Sequence, residues 1–123
     1  DMKNKRIIFV VTIVLCVCAV ALSLYFANSR PTMTGQYLVS TTGIHIIVDK
    51  NGMPNVMSNQ TNNEGIFEGL QSGDSIKVTY DGINLSYPGQ MGIYNCKLIK
   101  KGEISNIPEK TFFELQSMGW QFE

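Results

Sequence analysis

The sequence predicts a small, mainly β domain with one C-terminal helix, preceded by a single apolar N-terminal helix. Three observations carry this prediction. Residues 7–27, IIFVVTIVLCVCAVALSLYFA, contain no charge. Ser75 to Tyr80 alternates strictly, with Ile76, Val78 and Tyr80 on one side and Ser75, Lys77 and Thr79 on the other, which is the period of two of a half-buried strand. Toward the end of the sequence, Pro108 and Gly119 bracket a stretch whose apolar residues, Phe112 and Leu115, recur at helical spacing.

At roughly 1.5 Å rise per residue, a helix over residues 7–27 matches a hydrocarbon core of about 30 Å. Lys3, Lys5 and Arg6 precede it, so the positive-inside rule places residues 1–6 in the cytoplasm and the remainder outside. The apolar core of a cleaved signal peptide is shorter, about 7–15 residues. An uncleaved transmembrane anchor is therefore the expectation, and cleavage after Ser29, with Ala27 at minus three, is the alternative. Cys16 follows Leu15 and Cys18 follows Val17, a poor context for lipid attachment. Residues 28–34 read as a linker, because Arg30-Pro31 favours extended backbone. Residues 35–123 read as one extracytoplasmic domain, long enough for a small barrel or sandwich.

Within that domain, residues 36–41 and 44–49 read as two strands joined by Thr42-Gly43, with Ile44, Ile46 and Val48 on one face of the second and His45 and Ile47 on the other. Residues 50–63, KNGMPNVMSNQTNN, are polar and rich in turn residues, so they read as a long loop holding at most a short strand near residues 55–58. Gly73-Asp74 and Asp81-Gly82 are turn pairs on either side of residues 75–80. The second pair predicts a hairpin that returns through residues 83–87 and stops at Pro88. Residues 91–99 read as a further strand with Tyr94, Cys96 and Leu98 on one face. The expected core is Ile76, Val78, Tyr80, Tyr94 and Leu98. In the helix after Pro108, Phe113 and Met118 are expected to flank the face of Phe112 and Leu115, Gly119 to end the helix in a left-handed conformation, and Trp120 to pack back near Leu115.

Ten basic and ten acidic residues balance overall, but Lys3, Lys5, Arg6 and Arg30 sit against Asp1 alone in the first 30 positions. The domain that follows is mildly acidic, which argues against nucleic acid as a partner. The chain has a single histidine, His45, with no Cys or second His near it in sequence, and a half-buried structural role is expected. Cys96 is the one cysteine of the exported part, so no internal disulfide is open to it. A small buried residue is the simpler reading, and pairing between chains is the alternative. Asp74 and Asp81, at opposite ends of a strand, would stand some 23 Å apart at roughly 3.3 Å per residue, too far for two-carboxylate glycoside chemistry. No nucleophile elbow, phosphate-binding glycine loop or zinc spacing occurs, so no catalytic, cofactor or metal residue is expected.

Gly35-x-Tyr, the Ile-Ile-Val strand, Gly73-Asp74-x-Ile-x-Val-x-Tyr-Asp-Gly and Ser86-Tyr87-Pro88-Gly89-Gln90, taken in this order, resemble the YobA-like family of small exported proteins of Gram-positive bacteria, a domain of unknown function. The segment from Gly102 through Trp120 is similar to small clostridial proteins with the same Tyr-Pro motif. The resemblance implies an OB-like β-barrel and no assigned activity. Many relatives are lipoproteins, and this sequence departs from them in lacking a good lipid-attachment site.

The expectation is thus a non-catalytic binding or interaction module at the outer membrane face, attached to the membrane through residues 7–27 and meeting a protein or cell-envelope glycan partner. Two alternatives remain: an accessory or sensor subunit that acts through its transmembrane helix, and a secreted ligand-binding protein released by cleavage. The candidate binding rim is Tyr87, Pro88, Gly89 and Gln90. Pro88-Gly89 alone accounts for a bend, and the rim reading adds a phenol and an amide offered to a ligand.

Overall fold

The computed structural model describes residues 2–123, with the backbone alone for residues 25–28; Asp1, the first residue of the expected cytoplasmic segment, lies outside the described residues. The chain divides into two compact units, Asp1–Arg30 and Pro31–Glu123. The first unit is α1, Met2–Asn28, an apolar helix long enough to cross a membrane. Two of its hydroxyls are satisfied locally: Thr12 Oγ1 donates to the Ile8 carbonyl at 2.8 Å and Ser23 Oγ to the Ala19 carbonyl at 3.0 Å. Each hydroxyl is thereby satisfied without water, as an apolar surrounding requires.

The second unit is a closed five-stranded barrel with strand order β1-β2-β3-β5-β4. The strands are β1 Thr32–Val39, β2 His45–Asp49, β3 Pro54–Asn59, β4 Ser75–Tyr80 and β5 Gly89–Lys100, and α2 follows at Glu109–Ser117. All pairings are antiparallel except β3 with β5, which run parallel from Asn55 opposite Gly89. The alternation read in residues 75–80 is real: Ile76 and Val78 are fully buried inside the barrel while Lys77 is exposed. They pack with Tyr37, Ile47, Met57, Phe67, Met91 and Ile93. β1 and β2 are buried on both faces, because Leu38, Ile46 and Val48 point outward into a second core with Ile107 and Leu115. The outer face of β1 and β2 is therefore covered by the chain's own C-terminal segment.

Several sequence expectations are corrected. β1 begins at Thr32, inside the stretch read as linker, because residues 32–34 pair with residues 77–79 and Met33 packs against the barrel core. The polar stretch 50–63 contains a full strand, β3, in the middle of the sheet; hydrogen bonding to β2 on one side and β5 on the other outweighs its composition. Residues 83–87 are a loop, and the partner of β4 is β5. Leu98 is exposed and Tyr94 only half-buried, whereas Met91 and Ile93 are buried. The register with β4 slips between Thr79 and Tyr80, so Asn95 faces Thr79 and Ile93 faces Tyr80 with Tyr94 left over. One extra residue reverses the parity of a strand, so Tyr94 does not share the inward side of Cys96 and Leu98, which pair with Val78 and Ile76.

In α2, Thr111 and Leu115 are buried and Phe112 packs beside them, but Phe113 and Met118 are exposed. Phe113 lies two positions before Leu115, about 200° around the helix, so it cannot share that face. The helix stop is as expected: Gly119 has φ +97°, and the Trp120 amide donates to the Leu115 carbonyl at 3.1 Å. Val78→Ala removes two buried methyl groups and should lower stability by about 1–3 kcal/mol, while Lys77→Ala on the exposed face should change it by less than about 0.5 kcal/mol. Urea unfolding of both variants measures this; equal effects would mean that the two faces of β4 have been exchanged.

Candidate functional site

The connection from β4 to β5, residues 81–88, is built by its own side chains. Asp81 Oδ1 accepts hydrogen bonds from the amides of Gly82 at 2.8 Å and Gly92 at 3.0 Å, so one carboxylate fixes both the exit from β4 and the path of β5. Asn84 donates its amide to the Gln90 carbonyl at 2.8 Å, and the Gln90 amide donates to the Asn84 carbonyl at 3.3 Å. Ser86 donates its amide to the Asn84 carbonyl at 2.9 Å and its hydroxyl to the Pro88 carbonyl at 2.8 Å. The Tyr87 hydroxyl donates to Glu114 Oε2 on α2 at 2.6 Å. Side chains as well as backbone therefore hold the loop at both ends.

What the loop presents is apolar. Ile83 is 40 % exposed, Leu85 92 % and Tyr87 38 %. A single exposed leucine is ordinary, but three large apolar side chains exposed within five residues of one hydrogen-bonded loop are the sort of display that marks an interaction surface.

The four residues read as a binding rim fall into different environments. Tyr87 and Gln90 are exposed, Pro88 is half-buried and Gly89 is buried. A Cβ at Gly89 would run into the Asn55 side-chain oxygen, so glycine is required there by packing. Burial pushes the Tyr87 phenol up to about 12, aided by the hydrogen bond to Glu114 and its charge. Tyr87 thus belongs both to the exposed patch and to the anchor of the loop. Ile83 and Leu85 were missed by sequence reasoning because apolar alternation in residues 83–87 is the same signal that a strand gives; the lack of a partner strand is visible only in three dimensions.

The single histidine is a structural residue at the other end of the barrel interior. Its ring stacks on Phe67 with centroids 4.4 Å apart, and Nδ1 lies 2.5 Å from the Tyr37 hydroxyl. Burial lowers the His45 pKa below its ordinary 6.5, and burial, followed by the nearby Cys96 and Asp74, pushes Tyr37 up to about 12. With a neutral imidazole and a protonated phenol, Tyr37 is the donor and Nδ1 the acceptor. His45, Glu64, Gly65, Phe67 and Glu68 border an open hollow of about 410 Å³. Among the described residues no group of three or more His, Cys, Asp or Glu is placed to share a metal ion. Cys96 is half-buried against the barrel core, and burial pushes its thiol up to about 11. It is protonated at neutral pH and correspondingly unreactive.

No protein-family model and no curated protein sequence matches the chain. The reading of the β4–β5 loop therefore stands on its geometry. In an alkaline titration followed at 295 nm, Tyr87→Phe should remove one phenol that ionises near 12, leaving Tyr37 as a late-titrating tyrosine. Loss instead of a phenol ionising at the ordinary 10 would show that the Tyr87 hydroxyl is neither buried nor bonded to Glu114.

Proposed function

We propose that this chain is a membrane-anchored, extracytoplasmic, non-catalytic binding module of the YobA-like type, an OB-like barrel whose contact surface is the β4–β5 loop. The observation that carries the reading is Leu85, almost wholly exposed between Ile83 and Tyr87 on a loop fixed by its own hydrogen bonds. Fixing such a loop before contact removes most of the ordering cost that binding would otherwise incur.

The strand order, with β3 parallel to β5, supports the OB-like reading. OB barrels bind ligands on the face of strands 2 and 3 and on the β1–β2 and β4–β5 loops. Here Ile46 and Val48 of β2 lie under the C-terminal segment. The β1–β2 loop is tied down too, since Thr41 donates its amide to the Gln121 carbonyl and Ser40 bridges to Phe122. Of those three surfaces, the β4–β5 loop is the one that displays a large apolar side chain almost wholly exposed, Leu85. The cations before α1 support the orientation, with the barrel outside the cell.

Three groups that could do covalent or acid–base chemistry, Asp74, His45 and Cys96, are engaged in the fold. Asp74 is fully buried and bonded to two amides and to Lys101, His45 is neutral and bonded to Tyr37, and the Cys96 thiol is protonated. This supports a binding role over a catalytic one. A photo-crosslinking side chain placed at position 85 of the full chain in its native membrane should give several-fold more adduct than one at Lys97, which is exposed on β5. Equal yields at the two positions would remove the loop as the contact surface.

A further inference from the structure

We infer that the partner of the β4–β5 loop is the lipid surface of the membrane that α1 crosses, with Ile83, Leu85 and Tyr87 dipping into the boundary between headgroups and acyl chains. This rests on the reading of the loop as the contact surface. It follows from where the chain joins the barrel. The first residues of β1 pair with the last of β4, Thr32 opposite Thr79, and the Tyr80 amide donates to the Pro31 carbonyl at 3.0 Å. The β4–β5 loop begins at the next residue, Asp81. The point at which the chain joins the barrel and the apolar loop therefore share one end of it.

Only Ser29, Arg30 and Pro31 separate the last residue of α1 from the first of β1. Four Cα steps join Asn28 to Thr32 and span at most about 14 Å, so covalent connectivity alone tethers this end of the barrel close to any bilayer that α1 crosses. The loop's chemistry suits such a place. Leu85 is nearly fully exposed and aliphatic, as insertion among acyl chains requires. Tyr87 carries a phenol whose polar end is bonded to Glu114 and whose ring is partly open, the amphipathic character that places tyrosine at membrane interfaces. Between the three apolar residues lie Asn84 and Ser86; their backbone amides are bonded to the Gln90 and Asn84 carbonyls and the Ser86 hydroxyl to the Pro88 carbonyl, so these groups need no water as the apolar side chains enter. A contact too weak to hold a free domain becomes dominant when the chain is already tethered at the surface, because the second contact is then intramolecular.

The test uses the full chain reconstituted in phosphatidylcholine vesicles with and without bromine on the acyl chains. Trp120 is the chain's one tryptophan and packs in the second core, so its emission serves as the baseline. Leu85→Trp adds an indole at a position exposed enough to tolerate it. Thr42→Trp adds the same indole on the exposed β1–β2 loop at the opposite end of β1. The emission added by Leu85→Trp should fall roughly two-fold in brominated lipid, as expected for a group about 5–10 Å below the headgroups, while that added by Thr42→Trp should not change. Quenching at position 85 no greater than at position 42 would overturn the lipid assignment. If that result came with strong protein adducts from the crosslinker at position 85, the loop would remain a contact surface with a protein partner. If neither quenching nor adducts appeared, both readings would fail together.

Discussion

The Asp74 carboxylate, with no solvent exposure, joins the start of β4 to the segment that follows β5. It accepts hydrogen bonds from the amides of Gln71 at 3.0 Å and Gly102 at 2.9 Å and from the Lys101 ammonium at 3.0 Å. Its own carbonyl takes the Tyr37 amide of β1, and the neighbouring Gly73 amide returns to the Tyr37 carbonyl. One residue thus ties the start of β4 to the end of β5 and to β1. Burial alone would raise the pKa of this carboxyl, but the two amides and Lys101 outweigh it and hold the group below its ordinary 3.8. The contribution to stability is therefore complete above the ordinary value and is lost as pH falls through the lowered one. Close approach at this seam also requires glycine: Gly73 has φ +100°, and a Cβ there would run into the Glu103 carbonyl.

Closure decides the rest. Because β5 pairs with β4 on one side and β3 on the other, none of the five strands is left as an edge open to another chain. It also fixes what can face outward. The outer side of β1 and β2 is taken by Ile107, Leu115 and the aromatic residues Phe112, Trp120 and Phe122, which leaves the outer sides of β4 and β5 and the two ends of the barrel as the places where side chains meet something else.

The strands of simple pattern were legible in the sequence: β4 from strict alternation, β2 from its β-branched run, α2 from Pro108 and Gly119. β3 was legible only as a short strand near residues 55–58 inside a long loop, since Asn55, Ser58 and Asn59 are residues that favour turns, and pairing on both sides holds them extended. The parity of β5 was not, because its bulge at Tyr94 has no sequence mark. Gly73-Asp74 was legible as a turn but not as the seam of the barrel, since its partners at Gly102 and Lys101 lie nearly thirty residues away. The candidate site was half legible. Tyr87 to Gln90 stood out as a motif, yet Gly89 is a packing requirement, and the apolar patch extends back to Ile83 and Leu85.

A binding role for the β4–β5 loop requires an ordered display of its apolar side chains. Had residues 81–88 been a mobile strap, Leu85 could fold back onto the barrel and its exposure would carry no meaning. Backbone ¹⁵N relaxation of the full chain in a nanodisc tests this most directly. The amides of Asn84 and Ser86, both hydrogen-bonded within the loop, should have order parameters near the rigid value of about 0.85 that the β5 amides show. Values below about 0.6 at these two residues, with β5 rigid, would contradict the account.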